Sequence, residues 1–114
     1  MPLPLIAVPT TAGTGSEVTR SSVINDSDRQ IKISLRDWNI APKIAIVDPG
    51  LTIGLPPLLT ASTGMDALTH AIEGYTCNRH NPISDGLALH AMRLIGPSLP
   101  VAVANGSDRV AREQ

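Results

Sequence analysis

Asp66 and His70 are the two side chains of this sequence whose type and spacing best suit a shared cation. They stand at i and i+4 inside Gly64-Met65-Asp66-Ala67-Leu68-Thr69-His70-Ala71-Ile72-Glu73-Gly74. On a helix that spacing puts a carboxylate and an imidazole on one face, one turn apart. A carboxylate oxygen beside a neutral imidazole nitrogen suits Fe(II) or Zn(II) better than Ca(II) or Mg(II). Two donors fall short of the three or more that catalytic metal sites normally use. The same spacing also serves a solvated hydrogen bond. Glu73 lies three residues past His70 without an obvious ligand role. His80, in a turn region, and His90, in a later helical stretch, read as ordinary surface or packed histidines.

A second candidate is the run Pro9-Thr10-Thr11-Ala12-Gly13-Thr14-Gly15-Ser16-Glu17. Small residues let the backbone come close to a ligand, and three threonines offer hydroxyls, which suits a cradle for phosphate or ribose. A tight turn between strands explains the same composition. No lysine follows the glycines, so the run is not a Walker A loop, and it does not fit the Gly-x-Gly-x-x-Gly fingerprint. Cys77 is the single cysteine. With no nucleophile and base grouped around it, it reads as a small buried hydrophobe.

The elements that must position these residues change in kind near Asp48-Pro49. Leu5 to Val8 and Lys43 to Val47 are short apolar runs, expected as buried strands. Glu17 to Ile24 and Ile31 to Leu35 carry β-branched or alternating residues around the polar turn Asn25-Asp26-Ser27-Asp28, which predicts a hairpin. Past Pro56-Pro57 the apolar positions Leu58, Ala61, Met65, Leu68 and Ile72 recur at three and four, predicting a helix to about Tyr75. Gly64 inside that helix costs about 1 kcal/mol against alanine, so it marks either close packing or a break. Asn81-Pro82 opens a second helix with Asn81 as its cap. Pro97 and Pro100 predict that this helix ends near Ile95 or kinks there. Asn105 to Asp108 is a stop, and Arg109 to Gln114 resembles the start of a further helix.

Composition bounds the rest. Hydrophobic residues are 42% and charged residues 17%, which fits a packed body and excludes wholesale disorder. A net charge of -1 with no basic run argues against a nucleic-acid partner. No apolar stretch reaches the roughly 20 residues that cross a bilayer, and Met1 to Pro4 lacks the pattern of a signal peptide, so no membrane partner and a cytoplasmic location are expected. Aromatics are 2%, with no phenylalanine. A core built from aliphatic residues and alanine in so short a chain is marginal alone. The expectation is that further protein or another copy, as in a homo-oligomer, covers its apolar surfaces.

Taken together, the motifs resemble the iron-containing (group III) alcohol dehydrogenase family. They are residues 9–17, Ala45-Ile46-Val47-Asp48-Pro49, Leu55-Pro56-Pro57, residues 63–75, and Asn81-Pro82-Ile83-Ser84-Asp85, in that order. The resemblance implies an α/β segment of a two-domain, dehydroquinate synthase-like fold, with strands and a hairpin first and helices second. Residues 1–48 correspond to the end of an NAD(P)-binding α/β domain, and 49–114 to the first helices of an all-helical metal-binding domain. It implies Asp66 and His70 as two ligands of Fe(II) or Zn(II), the family's two other histidines and its pyrophosphate turn falling outside this sequence. It implies Thr10, Thr11, Thr19, Lys32 and Leu51 as contacts for NAD or NADP. The activity implied is hydride transfer between a small alcohol or aldehyde and that cofactor, with the metal as Lewis acid. The isolated chain is expected to be inactive, as a central segment. The alternative is a non-catalytic binding or assembly module derived from the family, and a remote one is a pair of copies in which His80 or His90 completes the metal site.

Overall fold

The computed structural model describes residues 3–114, so part of the stretch inspected for a leader, Met1 and Pro2, lies outside the described residues. In chain order the elements are β1 (Ile6–Ala7), β2 (Ser21–Asp26), β3 (Ile31–Arg36), β4 (Ile44–Ala45), α1 (Pro57–Thr76), α2 (Pro82–Ala104) and α3 (Arg109–Glu113). Two short 3-10 turns, Trp38–Ile40 and Pro49–Thr52, flank β4. The chain divides into two compact units. One is the part up to Pro9 together with Gly15–Val47, and the other is Thr10–Thr14 with Asp48–Gln114. The Thr/Gly loop thus belongs with the helices, not with the strands on either side of it in sequence.

In the first unit, β2 and β3 pair antiparallel from Ser21 opposite Arg36 to Asp26 opposite Ile31. The turn is held locally: Asp26 Oδ1 accepts from the amides of Asp28 (3.1 Å) and Arg29 (3.0 Å). Gln30 closes it in the left-handed region at φ 55, which only a minority of non-glycine residues adopt. β2 starts later than the β-branched run predicts. A turn with Val18 N donating to Gly15 O precedes it, and Thr19 Oγ1 takes the Ser21 amide. β1 and β4 pair in parallel, Ile6 with Ile44 and Ala7 with Ala45. Both strands were expected to be buried, yet Leu5, Ile6, Val8, Ile44, Ile46 and Val47 are exposed. Parallel strands are normally covered on both faces; within its own unit this two-stranded pair leaves those side chains uncovered.

The second unit is built on α1 and α2, joined by the short loop Cys77–Asn81. α1 runs as its periodicity predicts. Gly64 does not break it: a Cβ there would meet the end of the Leu99 side chain on α2, so the glycine is a close-packing position. Asn81 caps α2 by accepting from the Ile83 and Ser84 amides. Of the two expectations at Ile95, an end or a kink, the end is corrected: α2 continues to Ala104 with Pro97 and Pro100 inside it. Each proline removes one i to i−4 bond, but the packing of Leu99 on Gly64 and the burial of Ala102 keep the segment helical. This also corrects the reading that no stretch is long enough to span a bilayer. By length and mean hydropathy (1.4), α2 is long and apolar enough, a test that soluble core helices also pass. Asp85, His90 and Arg93 lie along it.

The core consists of small residues: Ala71, Ala88 and Ala102, with Thr52 and Thr60. No large side chain is fully buried among the described residues. Leu58 (82% exposed) and Leu87 (66% exposed) show how much apolar surface stays uncovered, in line with a composition that leaves a short chain marginal.

Candidate functional site

The uninterrupted α1 sets Asp66 and His70 on one face. His70 Nε2 lies 3.9 Å from Asp66 Oδ1. That is too long for a hydrogen bond. Two donors on a tetrahedral ion at about 2.0–2.1 Å stand about 3.3 Å apart, so a small rotation of either side chain brings the pair onto one ion. The side chains are 55% and 48% exposed, open enough for further ligands to approach. The donor set and its spacing therefore fit a divalent metal of the Fe(II) or Zn(II) type, as one part of a coordination shell. Among the described residues no group of three or more His, Cys, Asp or Glu side chains stands close enough to hold a metal. His80 Nδ1 lies 3.7 Å from Asp85 Oδ2, and His90 is an exposed residue of α2. Neither joins the pair.

The other ring nitrogen of His70 has a partner that the sequence reading missed. Nδ1 lies 3.2 Å from the carbonyl oxygen of Gly13. Gly13 has φ 154, and a Cβ built on it would strike the Thr63 carbonyl oxygen and sit 2.8 Å from the Thr63 carbonyl carbon. The small residues of this loop thus bring its backbone against α1, a use distinct from admitting a ligand. The sequence signal was a glycine in a loop next to a helix, which by itself names no contact.

The proposed nucleotide contacts fall in both units. Thr10 is exposed and Thr11 half-buried, in the loop that lies with the helices. Leu51 is exposed in the 3-10 turn, its amide donating to Asp48 O. Thr19 and Lys32 belong to the first unit. Thr19 is half-buried and bonded to the Ser21 amide, and Lys32 is exposed on β3 opposite Asn25. Cys77 is corrected from buried to exposed. It follows the last turn of α1, with Sγ donating to Arg79 O at 3.5 Å.

Arg112 is a second residue that sequence reasoning missed. From α3 its Nη1 donates to buried Thr60 Oγ1 (3.0 Å) and its Nε to Gly106 O (3.1 Å). It ties α3 to the start of α1 beside a cavity of about 80 Å³ lined by Ala12, Thr60, Thr63 and Leu99. Nothing in the sequence marked one arginine of a short terminal helix.

Comparison with known proteins decides what this arrangement belongs to. A family model described as iron-containing alcohol dehydrogenase matches residues 1–49, and one for the C-terminal part of the Fe-containing alcohol dehydrogenase family matches residues 60–114. This chain belongs to the iron-containing alcohol dehydrogenase family. The NAD-dependent methanol dehydrogenase of Bacillus methanolicus is 52% identical over 97% of the chain and 29% of that enzyme. Long-chain-alcohol dehydrogenase 1 of Geobacillus thermodenitrificans is 54% identical over 96% of the chain and 27% of that enzyme. The crystal structure of sulfoacetaldehyde reductase from Bifidobacterium kashiwanohense in complex with NAD+ superposes with a TM-score of 0.94 at 50% identity, covering 97% of this chain and 30% of that one. The chain therefore spans less than a third of the length of the relatives it matches. These relatives are named for a one-carbon alcohol, long-chain alcohols and a sulfonated aldehyde, at nearly equal identity to this stretch. Identity over these residues does not sort substrates.

Proposed function

We propose that this chain supplies part of the active site of a metal-dependent oxidoreductase that moves hydride between a small alcohol or aldehyde and NAD or NADP. The observation that carries the reading is the Asp66–His70 pair: two donors on one face of α1, 3.9 Å apart and open to solvent. Family membership and the NAD+ complex of a relative support it. On this reading residues 1–48 close an NAD(P)-binding domain and 49–114 open a helical metal-binding domain of a dehydroquinate synthase-like fold. When bound, the metal supplies Lewis acidity and the nicotinamide supplies the hydride chemistry. Asp66 brings negative charge to the metal and His70 a neutral nitrogen. Thr10, Thr11, Thr19, Lys32 and Leu51 contact the nucleotide. The exposed apolar side chains of both units, Ile44 and Leu87 among them, support burial against further protein, with a homo-oligomer as the assembly.

Because the described residues bring together two metal donors and no third, the 114-residue chain alone is expected to show no alcohol turnover with either cofactor. The test is calorimetric titration with Zn(II), and anaerobically with Fe(II), of wild type, His70→Ala, Asp66→Asn and the double variant. Two donors to one ion give non-additive losses: once His70 is gone, removing Asp66 costs little more. Losses that simply add, or metal binding untouched by both changes, would sink the reading.

A further inference from the structure

We propose that Gly13 is a positioning residue for His70: its carbonyl holds the imidazole in the tautomer that leaves Nε2 free to bind metal. The proposal rests on the reading of Asp66 and His70 as metal ligands. A backbone carbonyl can only accept a hydrogen bond. The 3.2 Å contact with Nδ1 therefore places the proton of the neutral ring on Nδ1. The lone pair then sits on Nε2, the nitrogen 3.9 Å from the Asp66 carboxylate. Fixing one ring nitrogen through the other is how a histidine ligand is oriented.

The geometry explains why one residue does this. Helix carbonyls point toward the C-terminus, and side chains lean toward the N-terminus. Two turns apart on α1, the Thr63 carbonyl and the His70 ring therefore approach the same stretch of loop. Gly13 rests on the first and bonds the second. A side chain at 13 meets the backbone of Thr63, which cannot move without breaking α1, and it also meets a φ of 154. Any such residue lifts the loop, and the Gly13 carbonyl leaves the ring. Gly15 is the internal comparison. It too has positive φ (62), but a Cβ there comes no closer than 3.9 Å, to the Val18 side chain.

The test uses nitrogen-labelled, metal-free chain above the titration of its histidines, with long-range proton–nitrogen correlation of the imidazoles. Wild-type His70 is expected in the Nδ1–H form. Gly13→Ala is expected to release it to a mixture of both forms while Gly15→Ala retains it, with helicity by circular dichroism recorded for all three. Zn(II) affinity should fall about 10- to 100-fold in Gly13→Ala. A wild-type ring in the Nε2–H form, or averaged between forms, overturns the proposal, as does a Gly13→Ala protein with wild-type tautomer and affinity. Should Zn(II) bind neither protein while the tautomer still responds to Gly13→Ala, the metal reading fails and takes the ligand role with it. The ring-holding contact is then read separately from the metal.

Discussion

In the β2–β3 hairpin six residue pairs lie in register, yet every β3 side chain is exposed; on α1 and α2, Ala71, Ala88 and Ala102 are buried and Gly64 receives the end of Leu99. The hairpin is specified by backbone ladder and turn, and its side chains add little packing. The helical unit is specified by side-chain size, because two helices approach closely only where residues are small. The contrast bears on function. A ligand pair must be held to within a fraction of an ångström, and Asp66 and His70 stand on the element whose packing is specified by shape. Lys32 stands on a strand fixed by backbone pairing, and Thr19 in the turn before that ladder, where its hydroxyl accepts from the Ser21 amide.

Gly64→Leu should have the largest effect. Overpacking against Leu99 is expected to cost about 3 kcal/mol, the upper end for an added side chain at a tight contact, read as loss of helical signal at lower denaturant. Thr60→Val removes the acceptor of Arg112 Nη1 at a buried site. An unmet charged donor costs about 2 kcal/mol, and α3 amides should exchange faster. Asn81→Ala deletes the side chain that caps α2 and should cost about 1 kcal/mol, with exchange rising at Ile83 and Ser84. Asp26→Ala removes two turn bonds at an exposed site. About 0.5 kcal/mol is expected, seen as faster exchange at Asp28 and Arg29 only. If Asp26→Ala matched Gly64→Leu, the contrast between ladder and packing would be wrong. If Thr60→Val cost nothing, the contribution of Arg112 would vanish and the helical unit would rest on its small residues alone.

Periodicity located α1 to within a residue or two of its ends, because the three-and-four spacing and Pro56-Pro57 are local signals. The hairpin was legible for the same reason, although its first strand starts at Ser21: the Thr19 hydroxyl and the Gly15 carbonyl hold the preceding residues in a turn. The length of α2 was not legible. Proline is a local breaker, and what overrides it here, the contact of Leu99 with Gly64, joins residues far apart in sequence. Cys77 was misplaced because its exposure depends on where α1 ends relative to α2. Spacing alone put Asp66 and His70 on one face. The bond from His70 to Gly13 spans 57 residues, and no local pattern announces it.

X-ray absorption at the zinc edge on Zn(II)-loaded chain, beside His70→Ala, bears most directly on the Asp66–His70 pair. The predicted first shell is one imidazole nitrogen with oxygen neighbours at about 2.0–2.2 Å, the imidazole scattering disappearing in His70→Ala. Imidazole scattering unchanged in that variant, or a sulfur neighbour at about 2.3 Å from Cys77, would contradict the account.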